Sequence, residues 1–560
     1  MRGIPPVAKG LIFFCLTYPV YGRGFCGKLK VPVGIVADMM QGKTRLILPD
    51  RSRVADLLGR ALTERLTAVR KELPGRIYLT GGTVRDLLMG REPVDIDLTV
   101  EKRAWLWAER LSRMTGSTLV PLGREEDAAR VVWAGRDIDF SSFREGAESI
   151  EQELTKRDIT VNSMAISLDG LLGDGPGELA SGPAEIIDPC GGLRDIRQRV
   201  IKVTSREAFR SDALRLLRVY RFAAVLDFSV DPATSALVAE QKGMISRVAA
   251  ERVAHELDLI IGSARGHAVV SRMAGNGLLF ELLPELRAGV GMEQPASHHL
   301  DVFEHSLDAL FWMLKVQEQP GRYFLEFGDV MEDFLAAGRR RLQLRWAALL
   351  HDLGKPATVT IDEDRGGRIT FYNHDREGAR QVGEIARRLR WSGDDAAAVA
   401  ALVGLHMRPF HLGNVQRQER LSLRACLRLI KKAGALLPGL FLLGMADALA
   451  GRGEGRPENI EREIDMLFTR IERVRREHVE PVRRHPPLLT GRDLIEVVGL
   501  EPGPVFRELL ERVEDAQMEK KISTREQALS LVRACLEERK KGSRPGRKRE
   551  FQDPEKNGNA

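Results

Sequence analysis

The segment Tyr78–Val100, YLTGGTVRDLLMGREPVDIDLTV, places a glycine pair and an arginine ahead of two alternating aspartates. RIYLTGG reads as a short strand ending in a glycine turn, TVRDLLMG as a short helix, and VDIDLTV as a strand with period-two alternation. Alternate strand residues face the same way, so Asp95 and Asp97 project together while Val94, Ile96 and Leu98 pack on the other side. Two converging carboxylates suit a divalent cation that prefers oxygen ligands. A third acid from a neighbouring strand would complete a two-ion site with metals roughly 3.5–4 Å apart. Asp139 in DIDFSSF is the best candidate, with Asp137 on the same face as its competitor.

Alone, two alternating aspartates usually mark a solvated strand face. Here a strand, a glycine turn and a helix start lie directly upstream. Gly81 and Gly82 let backbone N–H groups approach a phosphate, where the helix dipole also favours negative charge. Metal beside a phosphate cradle points to nucleotidyl transfer, with the ion activating a hydroxyl and neutralising triphosphate charge.

Outward from this segment, Val54–Leu73 reads as an amphipathic helix closed by Pro74-Gly75, and Ala104–Thr115 as a second helix. VVWAGRDIDFSSF follows as strand, turn and strand, and the mixed texture continues to about Ile201. From Arg206 the pattern is almost unbroken helix, interrupted by IDEDRGGRITFYNHD and by a turn-rich break at Gly451–Arg456. The fold class is therefore α+β, a mixed-sheet head followed by a long helical body. KKGSRPGRKREFQDPEKNGNA at the end is charged, poor in apolar residues and expected to be disordered.

At 560 residues the chain exceeds one core and should divide into several domains. A net charge of +7 is compatible with a polyanionic partner without requiring one. Cys15, Cys26, Cys190, Cys426 and Cys535 have neither metal-ligand spacing nor a disulfide framework, which fits a reducing cytoplasm. No apolar run approaches the ~20 residues that cross a bilayer, so no membrane partner is expected. LIFFCLTYPVYG (Leu11–Gly22) faintly resembles a signal peptide but lacks a clear cleavage site; a true start at Met39 or Met40 is the competing reading of residues 1–50. MQGKT is no phosphate loop, because Ala37 stands where the first glycine is required.

GGTVRDLLMGREPVDIDLTV resembles the first signature of the class II tRNA nucleotidyltransferase and bacterial poly(A) polymerase family, and further segments follow in the family's order. LTKRDITVNSMA (Leu154–Ala165), with Arg157, Asp158 and Asn162, resembles the ribose-reading motif, and DPCGGLRDI (Asp188–Ile196) the head-to-neck hinge. SDALRLLRVYRFAA (Ser211–Ala224) is similar to the protein template, whose base-reading aspartate and arginine would be Asp212 and Arg215. ERVAHEL (Glu251–Leu257) resembles the neck motif, and LLTGRDLIEVVGLEPGP (Leu488–Pro504) a C-terminal helical segment.

The resemblance runs from about Val54 to Glu538 and implies a nucleotidyltransferase head (54–205), a helical neck (206–275), a further helical domain (276–480) and a C-terminal tRNA-binding region (481–540). It implies Mg²⁺ on Asp95 and Asp97, help to the 3′-hydroxyl from Asp139, the triphosphate at Gly81, Gly82 and Arg85, and tRNA, CTP and ATP as partners. Read as residues, Arg215, Arg218 and Arg221 share one helix face with Asp212 a turn earlier. Arginines on such a face normally point to solvent. Facing a nucleotide, an Asp–Arg pair offers an acceptor beside a rigid donor fork, which can match the edge of cytosine or adenine without a nucleic-acid template.

The chain departs from the family pattern at Ser211, where an acid is usual, and at Lys156-Arg157, where Arg-Arg is usual. Between Arg144 and Leu154 it has only EGAESIEQE, shorter than the flexible loop of members that add all of CCA. Such a loop resembles that of members that add two cytidines and leave the adenosine to a separate A-adding enzyme. Both outcomes, CCA and CC, stay open at this point, as does a poly(A) polymerase.

A second constellation lies in the helical body. ALLHDLGKP (Ala348–Pro356) sets His351 and Asp352 near the end of an apolar helix that Gly354 stops, with His305 upstream in VFEHSLDAL and Asp447 downstream in LLGMADALA. This order resembles the HD superfamily of metal-dependent phosphohydrolases and implies a divalent transition metal that generates hydroxide. His374 and His406 stand where such proteins carry a second-metal histidine or a phosphate contact. The competing reading is a retained scaffold with helix-packing histidines. If only this domain worked, the protein would be an HD phosphohydrolase with an RNA-binding head.

Overall fold

A computed structural model describes residues 51–542 except 74, 124–126, 145, 173–183 and 364–366. The N-terminal extension, Pro74 and all but the start of the basic tail lie outside the described residues. The head is built on a seven-stranded sheet in the order β3-β4-β5-β2-β1-β6-β7. Its strands are β1 (Ile77–Thr80), β2 (Asp95–Val100), β3 (Thr118–Gly123), β4 (Ala128–Trp133), β5 (Arg136–Ser142), β6 (Ala165–Ser167) and β7 (Ile186–Ile187). Every pairing is antiparallel except β2 with β5. A parallel pair needs a crossover, supplied here by the helix Ala104–Thr115 and the β3–β4 hairpin.

That helix seals one face of the sheet. Ala104, Trp107, Ala108 and Leu111 are its buried residues, and each large apolar side chain so removed from water contributes about 1.5–3 kcal/mol. Ile96, Ile138 and Val131 are buried while Asp95, Asp97, Asp137 and Asp139 keep partial exposure, so the opposite face carries the carboxylates. β1 is buried along its whole length and delivers the backbone into the helix Gly81–Leu88.

The expected helix before β1 spans Arg51–Glu72 but breaks at Gly59, whose φ of 69° and ψ of 157° no helix contains. Beyond Arg206 the described residues are mostly helical, with β structure in two places. Ser229–Val230 forms a parallel ladder with Val200–Ile201, and the polar interruption folds as a hairpin of Val359–Asp362 with Arg368–Phe371. The run Leu423–Ala450 is long and apolar enough to span a membrane, which the sequence reading did not find; 72% of its most apolar window is buried inside the fold, as a core helix requires. One contiguous core extends from Val54 to Met518, and Leu489, Leu494, Leu509, Val513, Ala528, Val532 and Cys535 form a separate C-terminal cluster.

Candidate active sites

The β2–β5 register sets Asp95 opposite Asp137 and Asp97 opposite Asp139, so four carboxylates share one sheet face. Both competitors for the third acid are therefore brought to the site. Crowded carboxylates need a counter-charge, and Arg130 supplies it from β4, where it pairs with Asp139. Its Nε and Nη2 donate to Asp139 Oδ1 and Oδ2 at 2.7 and 2.8 Å, and its Nη1 to Asp137 Oδ2 at 2.5 Å. Its Nη2 also lies 3.8 Å from Asp95 Oδ2. Burial raises the carboxyl of Asp95, with Arg130 opposing and Asp139 and Asp137 adding. Burial raises that of Asp97 as well, against Arg157 and the amides of Thr83 and Gly82. Acids that resist ionisation until positive charge arrives suit a cation site. Arg130 escaped the sequence reading, although a two-residue turn at Ala134-Gly135 would have aligned it with Asp139.

The glycine turn also serves the carboxylate face. Gly82 N–H donates to Asp97 Oδ2 at 3.0 Å and Thr83 N–H to the same oxygen at 3.4 Å, while Asp97 N–H donates to Thr83 Oγ1 at 2.8 Å. The helix start thus grips a carboxylate of the neighbouring strand through Gly82 and Thr83, while Gly81 N–H donates to Met164 O at 3.3 Å. Gly81 has φ +65°, and a Cβ there would sit 2.9 Å from Asp97 Oδ2 and 3.1 Å from Arg157 Nη1. Only glycine fits.

The remaining predicted residues gather where head meets neck. Arg85 Nη1 donates to Asn162 Oδ1 at 2.6 Å and holds Asp86 through two bonds of 2.9 Å. Arg157 Nη2 reaches Thr99 Oγ1 at 2.9 Å and Thr80 Oγ1 at 3.2 Å. Asp158 accepts from Arg218 Nε at 2.7 Å and from Ile159 N–H at 2.9 Å. Burial alone would raise the Asp158 carboxyl, but the Arg218 guanidinium overrides it and holds the group at about 2. The guanidiniums of Arg85, Arg218 and Arg221 stand 5.7, 5.4 and 4.0 Å from the ring centre of Phe222.

Asp212 is not on the arginine helix, which spans Arg215–Leu226; it is extended at φ −150° and ψ 109°, between two helices. Its Oδ1 accepts from Leu214 N–H at 3.0 Å and its Oδ2 from Arg252 at 3.1 Å. Arg215 Nη1 donates to Lys156 O at 3.0 Å and Ala208 O at 3.3 Å rather than to Asp212. An aspartate satisfies an amide two residues on more readily than it continues a helix.

In the helical body, His305, His351, Asp352, Asp447, His374 and His406 all meet, drawn from helices far apart in sequence. His305 Nε2 lies 3.0 Å from Asp447 Oδ1 and 3.3 Å from His351 Nε2, and His351 Nε2 lies 3.1 Å from Asp352 Oδ2. Separations near 3.3 Å are the polyhedron edges expected around a cation with bonds of about 2.0–2.2 Å. Asp352 Oδ1 faces His374 and His406 at 3.5 and 3.7 Å, so this carboxylate lies between the two histidine groups. The Nδ1 atoms of His351, His374 and His406 face the carbonyls of Ala348, Phe371 and Val403 at 2.9, 2.7 and 2.7 Å. Bonds from Nδ1–H to those carbonyls leave each Nε2 lone pair pointing inward, the tautomer a metal ligand needs. Burial would lower His351, yet Asp352 and Asp447 hold it up at about 9, so positive charge is demanded at the centre. These residues fit a divalent metal.

Three further groups were not legible in the sequence. His298 stacks edge-on against His305 at 4.6 Å, and Lys355 Nζ donates to Asp352 Oδ2 and Gln294 Oε1 at 2.6 Å each. Gly354 is not a helix stop in the left-handed sense: it is right-handed, and a Cβ there would meet His374 O at 2.2 Å. Its role is close approach.

Known proteins with these features were found by comparison. A model described as the poly A polymerase head domain matches residues 77–202, and the HD domain model matches residues 302–449. A probable RNA- and SrmB-binding site of polymerase A matches residues 227–289, and tRNA nucleotidyltransferase domain 2 matches residues 471–532. An A-adding tRNA nucleotidyltransferase of Deinococcus radiodurans is 33% identical over 83% of this protein and 96% of its own length. A CC-adding tRNA nucleotidyltransferase of Thermus thermophilus is 32% identical over 82% of this protein and 93% of its own length. The structure of a CCA-adding enzyme superposes with a TM-score of 0.57 at 21% identity, covering 87% of this protein and 97% of that one, which shows a shared fold. With head, neck, HD and C-terminal segments all matched and relatives covered nearly end to end, this chain belongs to the tRNA nucleotidyltransferase family.

Proposed function

We propose that the protein extends the 3′ end of tRNA from CTP or ATP, releasing pyrophosphate, at the carboxylate face of the head. The observation that carries this reading is the parallel register pairing Asp95 with Asp137 and Asp97 with Asp139 beside a helix start that holds Asp97. Asp95 and Asp97 would hold Mg²⁺, and Asp139, opposite Asp97, would accept the proton of the 3′-hydroxyl. The bound ion would supply Lewis-acid activation and neutralise triphosphate charge. Arg130 keeps the face from self-repulsion and positions Asp139. Arg85, fixed by Asn162, serves the triphosphate together with Gly81 and Gly82. Arg157 and Asp158 stand near the sugar. Asp212 and Arg215 read the base by exchanging their present partners, Arg252 and backbone carbonyls, for its polar edge, with Arg218 holding Asp158 alongside. The neck and C-terminal helices contact RNA phosphates and shape.

The number of nucleotides added turns on the link 143–149 between β5 and the helix Ile150–Thr155. It is short, and Arg144 N–H is tied to Glu153 Oε2 at 2.7 Å. A tied link favours addition of two cytidines only. The test is tRNA ending before CCA, after one C or after CC, incubated with Mg²⁺ and CTP, ATP or both at single-nucleotide resolution. Two additions that stop despite ATP support the reading. Extension of the CC end alone makes this an A-adding enzyme, three additions make it a CCA-adding one, and no extension of any substrate overturns the assignment. Long adenosine ladders on unstructured RNA would make it a poly(A) polymerase.

For the HD cluster the supporting observation is the inward-facing Nε2 set around Asp352. It would hold a divalent transition metal and hydrolyse 2′,3′-cyclic or 2′-phosphate RNA ends. Loss of this hydrolysis in His351→Ala with nucleotide addition intact is the expected result; hydrolysis that persists refutes it.

A further inference from the structure

Glu153 is wholly buried, at 0% exposure, yet it is no part of the carboxylate face. Its Oε2 accepts from Arg144 N–H at 2.7 Å, its Oε1 pairs with the Arg144 guanidinium, and the same Oε1 lies 3.5 Å from Arg157 Nε. Arg157 is mostly buried, with 12% of its side chain exposed, and Gly81 lies between its Nη1 and Asp97 Oδ2: a Cβ there would stand 3.1 Å from one and 2.9 Å from the other. A buried guanidinium seeks the nearest anion. Two compete for this one, Glu153 behind it and Asp97 in front.

We propose that Glu153 is a positioning residue that draws the Arg157 guanidinium back, toward Thr80 and Thr99, and so leaves Asp97 free for the cation. The inference rests on the metal role of Asp97 given above. It also joins the link 143–149 to the metal face, since Arg144 and Arg157 share one carboxylate. If Glu153 is made neutral, Asp97 across Gly81 remains to draw Arg157 forward. The guanidinium then competes with the divalent ion for that oxygen. The chemistry of the other carboxylates is untouched, so the loss should fall on metal affinity and little on tRNA affinity.

The test is Mn²⁺ binding followed by the electron paramagnetic resonance of free Mn²⁺, with a non-hydrolysable CTP analogue, on the full-length chain carrying Asp352→Asn to remove the HD cluster's own Mn²⁺, alone and combined with Glu153→Gln or Asp97→Asn. Glu153→Gln keeps the acceptor for Arg144 N–H and removes only charge. About tenfold weaker Mn²⁺ binding is expected for Glu153→Gln, with tRNA binding within error of wild type and a cooperative unfolding transition that shows the variant folded, at a melting temperature lowered by the lost ion pairs. Glu153→Asp should recover most of the affinity. Unchanged Mn²⁺ binding in a folded Glu153→Gln overturns the inference, and so does a loss equal for Mn²⁺ and tRNA, which marks a structural acid. If Glu153→Gln does not fold, Arg144→Met serves: it removes the guanidinium that shares Glu153 Oε1 but leaves the backbone bond and the Glu153–Arg157 pair, so Mn²⁺ affinity must hold and a fall refutes the assignment. If Asp97→Asn binds Mn²⁺ as wild type does, the metal reading itself fails, a result distinct from any of these.

Discussion

Gly81 and Gly82 are adjacent and chemically identical, yet the structure predicts opposite results from substituting them by alanine. At Gly81 an alanine must adopt φ near +65°, which costs about 1–2 kcal/mol for an L-residue. Its Cβ would also stand 2.9 Å from Asp97 Oδ2, closer than real Cβ contacts come. Relief requires Asp97 to move, giving up its bond from Gly82 N–H, a charge-assisted contact of about 1.5–3 kcal/mol. Together these give a loss of about 2.5–5 kcal/mol in urea unfolding of the head. Displacing a catalytic carboxylate by about 1 Å costs on the order of a hundredfold in rate. At Gly82 the nearest atom is Asp97 Oδ2 at 3.4 Å, an ordinary contact, and no positive φ is required. Gly82→Ala should therefore lose less than about 1 kcal/mol and retain most transfer activity. Urea unfolding with single-turnover CTP incorporation would compare the two. Equal effects at both positions would refute the argument.

Asp158 gives a pH prediction. Its folded value, held near 2, lies below the unfolded value near 3.9, so its stabilisation is present above pH 4 and lost as pH falls toward 2; the roughly two-unit gap is worth about 2.5 kcal/mol. Asp158→Asn should lower stability by about that amount at pH 7, with the difference shrinking from pH 4 downward, and a gap independent of pH would count against the Arg218 pair. Arg130→Met should cost about 1–2 kcal/mol without divalent ions, because the pair is only partly exposed, and Mg²⁺ should restore much of it; a loss indifferent to Mg²⁺ would show that the face holds no cation. In the HD cluster, Mn²⁺ at about a hundred times its dissociation constant should stabilise the wild type by about 2.7 kcal/mol. Asp352→Asn should abolish that gain and His374→Ala reduce the bound metal measured by atomic emission; full metal content in Asp352→Asn would contradict the bridging position.

Much of the head was readable because its signals are local. Period two put Asp95 with Asp97 and Asp137 with Asp139, and the helix Ala104–Thr115 fell where its pattern lies. Asp212 was misread because helical spacing continues through it while its own side chain caps the next turn. Hairpin register is also local in principle: the turn at Ala134-Gly135, both residues at positive φ, fixes Arg130 against Asp139.

The sequence by itself determined which residues alternate on a strand, which glycines stand at a turn, and the order His305, His351-Asp352, Asp447. These depend on periodicity within one element or on motif order, which packing does not change. Tertiary structure alone decided that Asp97 meets Asp139 across a parallel pair, because no turn sets the register of strands joined by a crossover. It alone brought His305 to Asp447, 142 residues away, and admitted His298 and Lys355 to that cluster. It also set Asp97 against the amides of Gly82 and Thr83, since a half-buried carboxylate beside a helix start takes the nearest free donors.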